Sequence, residues 1–216
     1  MPDFVILARG GSVGVPGKNK MLFDGKPLVA IAIDKCLQAY RYSRVIVSTD
    51  DADIASIAEE YGAEQVMRPA DLATSDSLSV DGLRHAAEVA GLTDTIGLVQ
   101  CTNPFVSVND IVGTIRVSRD HDMAVCVEES HDLLIGTGGN AINWDTGQTI
   151  RQHREKQYRI VGSVWAFSPG YIDQPQYSGD VGIHIAESAV QIDIDTPTDA
   201  SVAQALYEKA KIWPAL

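Results

Sequence analysis

The chain has 216 residues, of which 45% are hydrophobic and 21% are charged, and its formal net charge is −12 at pH 7. This length suits one α/β domain, and the sequence lacks both a run of about 18 apolar residues and a secretory signal, so we expect a soluble cytoplasmic protein without a membrane partner. The acidic balance opposes binding to nucleic acid and favours a small-molecule partner. Cys36, Cys101 and Cys126 lack the spacing of a disulfide framework or a zinc site.

Apolar runs alternate with helical patterns through the first half of the chain, which is typical of β-α-β units and a mostly parallel sheet. Strands are predicted at residues 4–8, 44–49, 65–67 and 95–100, and helices at 27–40, 54–61, 79–90 and 109–119. Ser107 or Asn109 is the expected cap of the last helix. We therefore predict the α/β class, as a Rossmann-like three-layer sandwich.

The second half is less regular than the first. Helical periodicity is lost between residues 128 and 158, where glycine and asparagine cluster and a charged run follows. We predict that residues 128–158 form an excursion from the sheet, hairpin-like, that covers the site or pairs with a second subunit. Strands at 161–167 and 190–194 and a helix at 197–211 complete a single domain of residues 1–216.

The first predicted strand runs into a glycine-rich loop that is flanked by Arg9 and Lys18. Its glycines can take positive φ and let backbone N–H groups approach an anion, while the two cations add charge where phosphate would bind. These glycines are Gly10, Gly11, Gly14 and Gly17. The spacing matches neither the P-loop nor the dinucleotide-binding fingerprint. The loop predicts a cradle for a nucleoside triphosphate, the alternative being a turn that only reverses the chain.

Two carboxylates lie close together near the end of the chain. Asp193 and Asp195 are two residues apart, so on a strand both would project from one face while Ile192 and Ile194 project from the other. Paired carboxylates suit Mg²⁺, which an acidic protein needs between its own charges and those of a triphosphate. The alternative is a solvated strand face, because half-buried strands expose alternate polar residues.

Taken together, these residues resemble the acylneuraminate cytidylyltransferases, also called CMP-sialic acid synthetases, with the CMP-Kdo synthetases as more distant relatives. The resemblance covers nearly the full length, and several motifs occur in the family's order. They are Ala8-Arg9-Gly10-Gly11-Ser12 with Pro16-Gly17-Lys18-Asn19, Val47-Ser48-Thr49-Asp50, Arg68-Pro69-Ala70-Asp71-Leu72-Ala73, Leu98-Val99-Gln100-Cys101-Thr102-Asn103-Pro104 and Ile192-Asp193-Ile194-Asp195-Thr196. The resemblance implies a nucleotide-diphospho-sugar transferase type of fold and transfer of CMP from CTP to a 2-keto-3-deoxy sugar acid.

The resemblance also implies roles for individual residues. Lys18, Arg9 and Asp195 would be catalytic, and Asp193 and Asp195 would bind Mg²⁺. Nucleotide-binding positions would be Ala8, Arg9, Gly10, Gly11, Ser12, Lys18, Asn19, Arg68 and Ser79. Gln100 would face the sugar, and Arg151 and Arg159, eight residues apart, would bind the sugar carboxylate through the planar fork of arginine. The family is commonly dimeric, so we expect a homodimer.

The chain departs from the family pattern at two positions. The family usually has lysine where this chain has Val13, and Leu-Arg where it has Phe105-Val106. A legionaminic or pseudaminic type of sugar acid is as plausible a substrate as N-acetylneuraminate. The alternatives are CMP-Kdo synthesis, another sugar nucleotidyl transfer, or a degenerate nucleotide- or sugar-binding protein.

Overall fold

The computed structural model describes residues 1–143, 155–174, 178–188 and 190–210 of the chain. In these ranges, seven strands form one sheet and two more form a short hairpin. The strands are β1 Asp3–Leu7, β2 Leu22–Phe23, β3 Lys26–Pro27, β4 Val45–Thr49, β5 Glu64–Met67, β6 Ile96–Val99, β7 Met123–Ser130, β8 Gln157–Phe167 and β9 Val181–Ile185. The helices are α1 Leu28–Ala39, α2 Ala52–Glu60, α3 Ser79–Ala90, α4 Val108–Val117 and α5 Pro197–Ala210.

The main sheet has the strand order β5-β4-β1-β6-β8-β7-β9. β1 is parallel to β4 and β6, β4 to β5, and β7 to β9, whereas β8 is antiparallel to both of its neighbours. The prediction of a mostly parallel sheet is confirmed. After β1 the chain adds β4 and β5 on one side and then returns to add β6 on the other. The strand order therefore switches between β1 and β6, which is where open α/β sheets bind ligands.

Alternate residues of β1 point to opposite faces of the sheet and define its two helical layers. Phe4 and Ile6 pack with buried side chains of α1, α2 and α4, whereas Val5 packs with those of α3. The predicted three-layer sandwich is therefore confirmed. None of the helices in the described part of the chain has the length and apolarity to cross a membrane.

The N-terminus of α4 is closed by a reciprocal pair of hydrogen bonds. Ser107 Oγ accepts from the Asp110 N–H, and the Asp110 carboxylate accepts from the Ser107 N–H. This capping box satisfies two backbone donors that the helix itself leaves free. Of the two caps that the sequence allowed, Ser107 is the one observed.

The second half of the chain departs from the sequence expectations. β7 and β9 were not predicted, and residues 190–194, which were predicted as a strand, form an irregular segment instead. The place beside β7 at this edge of the sheet is occupied by β9. The alternation of apolar and acidic residues in this segment reflects the complete burial of Ile194, which packs with α5 in a small hydrophobic cluster separate from the two main ones.

β7 and β8 extend beyond the sheet as an antiparallel ribbon, formed by Val127–Ser130 and Gln157–Ile160. The pairing shifts register between Val125 and Val127, and Gly162, with φ of 63°, lies in the shifted part of β8. This β7–β8 ribbon forms the two ends of the predicted excursion 128–158. Residues 144–154 lie outside the described residues, and the role of the excursion as a dimerisation or lid element stays a prediction.

Candidate active site

A polar cleft of about 320 Å³ opens at the carboxyl ends of β1, β5 and β6, beside the point where the strand order switches. Nine of the predicted site residues line it. They are Arg9, Ser12, Lys18, Asn19, Arg68, Ser79, Gln100, Asp193 and Asp195. The fold therefore brings the glycine-rich loop near the start of the chain together with the two aspartates near its end.

The other predicted site residues do not line this cleft. Ala8 is fully buried in the core, and the Gly10 N–H donates to Asp50 Oδ1 at 2.8 Å. Gly11 is exposed on the loop, whereas Arg159 lies on the β7–β8 ribbon. Arg151 falls outside the described residues.

The loop glycines serve two different purposes. Gly17 has positive φ, at 67°, whereas Gly10, Gly11 and Gly14 do not use this freedom. Gly14 is needed because there is no room for a side chain at this position: a Cβ would lie 2.1 Å from the Asp195 carbonyl oxygen. The loop therefore touches the segment that carries the aspartates at a position where only hydrogen fits.

Ser12 offers a binding group to the cleft. Its Oγ is buried and has no hydrogen-bond partner among the described residues. A buried hydroxyl left without a partner costs about 1–3 kcal/mol, so a ligand oxygen in the cleft would stabilise it. This is the behaviour expected of a phosphate-binding serine.

Asn19 fixes the loop from the inside. It is 4% exposed, its Nδ2 donates to the Arg9 carbonyl at 2.8 Å, and its Oδ1 accepts from Cys101 Sγ at 3.2 Å. Burial raises the pKa of the Cys101 thiol to about 12, which keeps it a neutral donor. These contacts hold the loop in place, and the nucleotide-binding role that the resemblance implies for Asn19 stays a prediction.

Lys18 connects the loop to the aspartate segment. Its Nζ donates to the Ile194 carbonyl at 2.6 Å and to Asp195 Oδ1 at 3.0 Å. The side chain of Lys18 is 17% exposed, whereas that of Asp195 is 72% exposed. The cation is therefore held at a defined point of the cleft, while much of the carboxylate stays open to a ligand.

Asp193 opens into the same cleft two residues before Asp195. Desolvation by the surrounding protein raises the pKa of the Asp193 carboxyl, and the nearby Asp195 charge adds to this, whereas a hydrogen bond with Thr102 and the Lys18 charge oppose it. A second positive charge between the two carboxylates would relieve their repulsion. The pair is therefore suited to a divalent cation.

The cleft is also lined by Arg68, which follows β5. Its guanidinium donates to Ser48 Oγ at 3.1 Å and to the Ser48 carbonyl at 2.6 Å, and burial lowers its pKa from the usual value. Arg9 donates to the Thr74 carbonyl at 2.5 Å and so ties the glycine-rich loop to the segment that leads into α3. Ser79 is the first residue of that helix.

Sequence reasoning missed part of the lining. Leu7, Leu72, Thr74, Ser75, Ser77, Leu78, Thr102 and Trp165 also face the cleft. A run of small hydroxyl residues between Thr74 and Ser79 was a usable signal for a binding loop, because such residues offer hydrogen bonds on a flexible backbone. Nothing in the local sequence of β8 marks Trp165, whose place in the cleft depends on the antiparallel pairing of β8 with β6.

Arg159 lies next to an acidic patch on the ribbon. It pairs with the Glu128 carboxylate through two guanidinium nitrogens, and a shallow depression there is also lined by Glu129, His131 and Asp132. The Arg159 side chain is 60% exposed, so this ion pair adds little to stability. Arg159 is therefore available to exchange Glu128 for another carboxylate.

The chain is similar to known cytidylyltransferases. The sequence model of a family described as cytidylyltransferase matches residues 4–159. The chain is 30% identical over 223 aligned positions to the CMP-N,N'-diacetyllegionaminic acid synthase of Legionella pneumophila, with 94% of this chain and 95% of that protein covered. It is 34% identical over 123 positions to the N-acylneuraminate cytidylyltransferase of Escherichia coli, covering 57% of this chain but only 29% of that longer protein.

The fold is also found in a solved structure. The CMP:2-keto-3-deoxy-manno-octonic acid synthetase complexed with CTP superposes with a TM-score of 0.74, covering 96% of this chain and 98% of that one. The identity is 17%, so this likeness concerns the fold alone.

Proposed function

The chain belongs to the cytidylyltransferase family, and from this premise we propose that it transfers CMP from CTP to the anomeric hydroxyl of a nonulosonic sugar acid and releases pyrophosphate. The observation that carries the proposal is the cleft in which Arg9 and Lys18 meet Asp193 and Asp195. The hydroxyl attacks the α-phosphorus in line, so the site must hold both reactants and stabilise the charge on the leaving group.

Lys18 and Ser12 act on the triphosphate in this proposal. The Ser12 hydroxyl gains a phosphate oxygen as its missing partner, and the Lys18 ammonium stabilises the charge that develops during transfer. Asn19 keeps the loop in place through the Arg9 carbonyl. Arg68 and Ser79 also line the cleft, and the proposal puts the cytidine beside them.

The residues present fit Mg²⁺, which we propose as the cofactor. Two carboxylates line one cleft, and no cluster of three or more His, Cys, Asp or Glu side chains suited to a metal occurs in the described residues. Mg²⁺ is typically bound by one or two carboxylates together with phosphate oxygens and water, so Asp193 and Asp195 would hold it. When bound, the ion supplies Lewis-acid polarisation of the phosphate oxygens.

The acceptor is proposed to be a sugar acid of the sialic or legionaminic type. Support comes from the two relatives above, whose names specify N-acylneuraminate and N,N'-diacetyllegionaminic acid. Gln100 offers an amide to the acceptor from the end of β6, and Arg159 offers an exposed guanidinium that suits a carboxylate.

We further propose that the protein is a homodimer formed through the excursion. Six large apolar side chains on the excursion and its ribbon are between 37% and 64% exposed: Leu133, Leu134, Ile135, Ile142, Tyr158 and Ile160. A cluster of this kind favours a protein partner, and a second copy of this chain presents the same surface.

Ile160→Asp is expected to yield monomers in light scattering, whereas Val202→Asp, at an exposed site on α5, should stay dimeric. The opposite pattern would reject this interface.

The proposed reaction belongs in the cytoplasm. The three cysteines of the protein are free and buried, which suits a reducing compartment such as the cytoplasm. Nucleoside triphosphates are also made in the cytoplasm.

The proposed activity is tested by pyrophosphate release from CTP and Mg²⁺ with a panel of acceptors: N-acetylneuraminate, a legionaminic acid, a pseudaminic acid and Kdo. Turnover with a nonulosonic acid, and none with UTP or GTP in place of CTP, is the expected result. Turnover with Kdo alone would replace the acceptor, and no turnover with any of the four would reject the proposal.

A further inference from the structure

The segment that carries both aspartates has no place in the sheet. We call it the aspartate strap: residues 186–188 and 190–196, between β9 and α5. Its first residue is fixed by the bond from the Ala186 N–H to the Val127 carbonyl at 2.7 Å, and near its end the Ile194 N–H donates to the Thr102 carbonyl at 3.0 Å. Between these points the strap depends on side chains to fix its position.

Asn103 supplies such a contact from the loop that follows β6. Its side chain is 1% exposed, and its Nδ2 donates to Gln191 Oε1 at 2.9 Å and to the Val161 carbonyl at 3.4 Å. Its Oδ1 accepts from the Phe105 N–H at 3.1 Å. The amide is therefore fully engaged and holds its position, because every one of these bonds is buried or half-buried.

Gln191 is the matching group on the strap. It lies two residues before Asp193, and its Nε2 donates to the Ser188 carbonyl at 3.4 Å. Asn103 directly follows Thr102, which lines the cleft. The Asn103–Gln191 bond therefore ties the strap to the loop after β6 at the point where both reach the cleft, although neither residue lines it.

We propose that Asn103 and Gln191 are positioning residues that fix Asp193 and Asp195 for metal and triphosphate binding. The inference rests on the proposed function, because it assumes that these aspartates hold Mg²⁺ against CTP. Residues that orient metal ligands through hydrogen bonds typically change metal affinity or activity by roughly 10- to 100-fold when they are removed.

The test measures CTP affinity by calorimetry, once with Mg²⁺ and once with EDTA, for the full chain and for Asn103→Ala, Gln191→Ala and the double variant. We expect Mg²⁺ to tighten CTP binding in the unchanged chain. In each variant, the ratio of the CTP affinity with Mg²⁺ to that with EDTA should be roughly 10-fold smaller, while the CTP affinity with EDTA is unchanged. Ser188→Ala is the matched control, because among the described residues its Oγ bonds only to the Val190 carbonyl and N–H within the strap, and we expect it to keep the full gain.

The kinetics of turnover supply a second measurement, in which a positioning role and a merely structural role predict different changes in kcat and KM. A positioning role predicts a lower kcat with an unchanged KM for the sugar acid at saturating Mg²⁺. If the two residues act through their shared bond, the double variant is no worse than either single variant. Gln191 is half-buried, so Gln191→Ala decides the question by itself if Asn103→Ala does not fold.

Each contrary result points to a different fault. Equal losses with Mg²⁺ and with EDTA, additive effects in the double variant, or no loss at all would overturn the positioning role. If CTP affinity in the unchanged chain did not respond to Mg²⁺, the metal site itself would be refuted, and this inference with it. A retained Mg²⁺ effect without turnover on any sugar acid would reject the proposed transfer reaction but not the positioning role.

Discussion

The glycine-rich loop and the aspartate strap form adjoining walls of one cleft, but they are held in different ways. The loop continues directly from β1 in the middle of the sheet, and the buried side chain of Asn19 fixes it through a hydrogen bond to the loop backbone. The strap lies outside the sheet and depends on Asn103, Asp110 and Lys18. The cationic wall is thus set by the fold, whereas the acidic wall is set by individual side chains, some of them outside the cleft.

Lys18 is where the two walls meet, so its removal should have the largest effect. We expect Lys18→Ala to cost about 2–4 kcal/mol of transition-state stabilisation, by analogy with the loss of a key electrostatic donor. The measurement is kcat for CMP transfer. Lys20→Ala is the matched control, since Lys20 lies in the same helical turn but pairs with Asp51 and Asp53, and it should retain most activity. Unchanged turnover in Lys18→Ala would remove Lys18 from the mechanism.

Gly14 allows the walls to touch, and enlarging it should separate them. A Cβ at Gly14 would lie 2.1 Å from the Asp195 carbonyl oxygen, whereas a Cβ at Gly11 would meet nothing within 4 Å. We expect Gly14→Ala to destabilise the protein by about 1–3 kcal/mol, as overpacking does, and to weaken CTP binding with Mg²⁺. Gly11→Ala should leave both properties close to those of the unchanged chain. Equal behaviour of the two variants in thermal unfolding and calorimetry would contradict the contact.

Arg159 lies away from both walls, so its removal should affect one substrate only. Arg159→Ala is expected to raise the KM for the sugar acid by roughly 10-fold with little change in kcat, as for a lost ground-state contact. Lys156→Ala removes another cation, which directly precedes the ribbon and pairs with Glu129, and should leave this KM unchanged. An effect on the KM for CTP alone would place Arg159 in a different role.

Asp110 anchors the start of the strap, and its effect should appear in stability and depend on pH. Burial by itself would raise its pKa, but hydrogen bonds from His184, the Glu187 N–H and Ser107 outweigh it and lower the pKa to about 2. A depressed carboxyl pKa stabilises the folded state above the unfolded pKa, and this stability is lost as the pH falls through the folded pKa.

Asp110→Asn should therefore lower the free energy of unfolding by about 2 kcal/mol at pH 7. The difference from the unchanged chain should shrink between about pH 4 and pH 2, as measured by urea unfolding across that range. A difference that is independent of pH would show that the charge of Asp110 is not what holds the strap.

The same contrast explains how much the sequence could predict. β1, β4 and β6 are short, mostly apolar runs buried on both faces, so local pattern was enough to place them, and the loop residues followed from their place after β1. The residues of the strap were also identified, but by their chemistry and the family resemblance. Their structure was not, because their alternation is typical of a strand, whereas here it reflects the burial of Ile194 in an irregular segment.

Two further features depended on long-range pairing. Among the described strands, β9 pairs only with β7, the outer part of β7 pairs with β8, and neither segment is the continuous apolar run that marks a buried strand in a sequence. Trp165 enters the cleft for the same reason. Local sequence patterns therefore predict an element well when its own residues are buried in a regular pattern. They predict it poorly when its position depends on pairing with a strand that is distant in the sequence.

The most direct test of the account is a crystal structure of the protein with CTP and Mg²⁺ bound. We predict one nucleotide in the cleft, with its phosphates against Ser12 and Lys18 and with Mg²⁺ between those phosphates and the carboxylates of Asp193 and Asp195. A nucleotide bound away from the glycine-rich loop, or phosphates out of reach of a metal ion held by the two aspartates, would contradict the account.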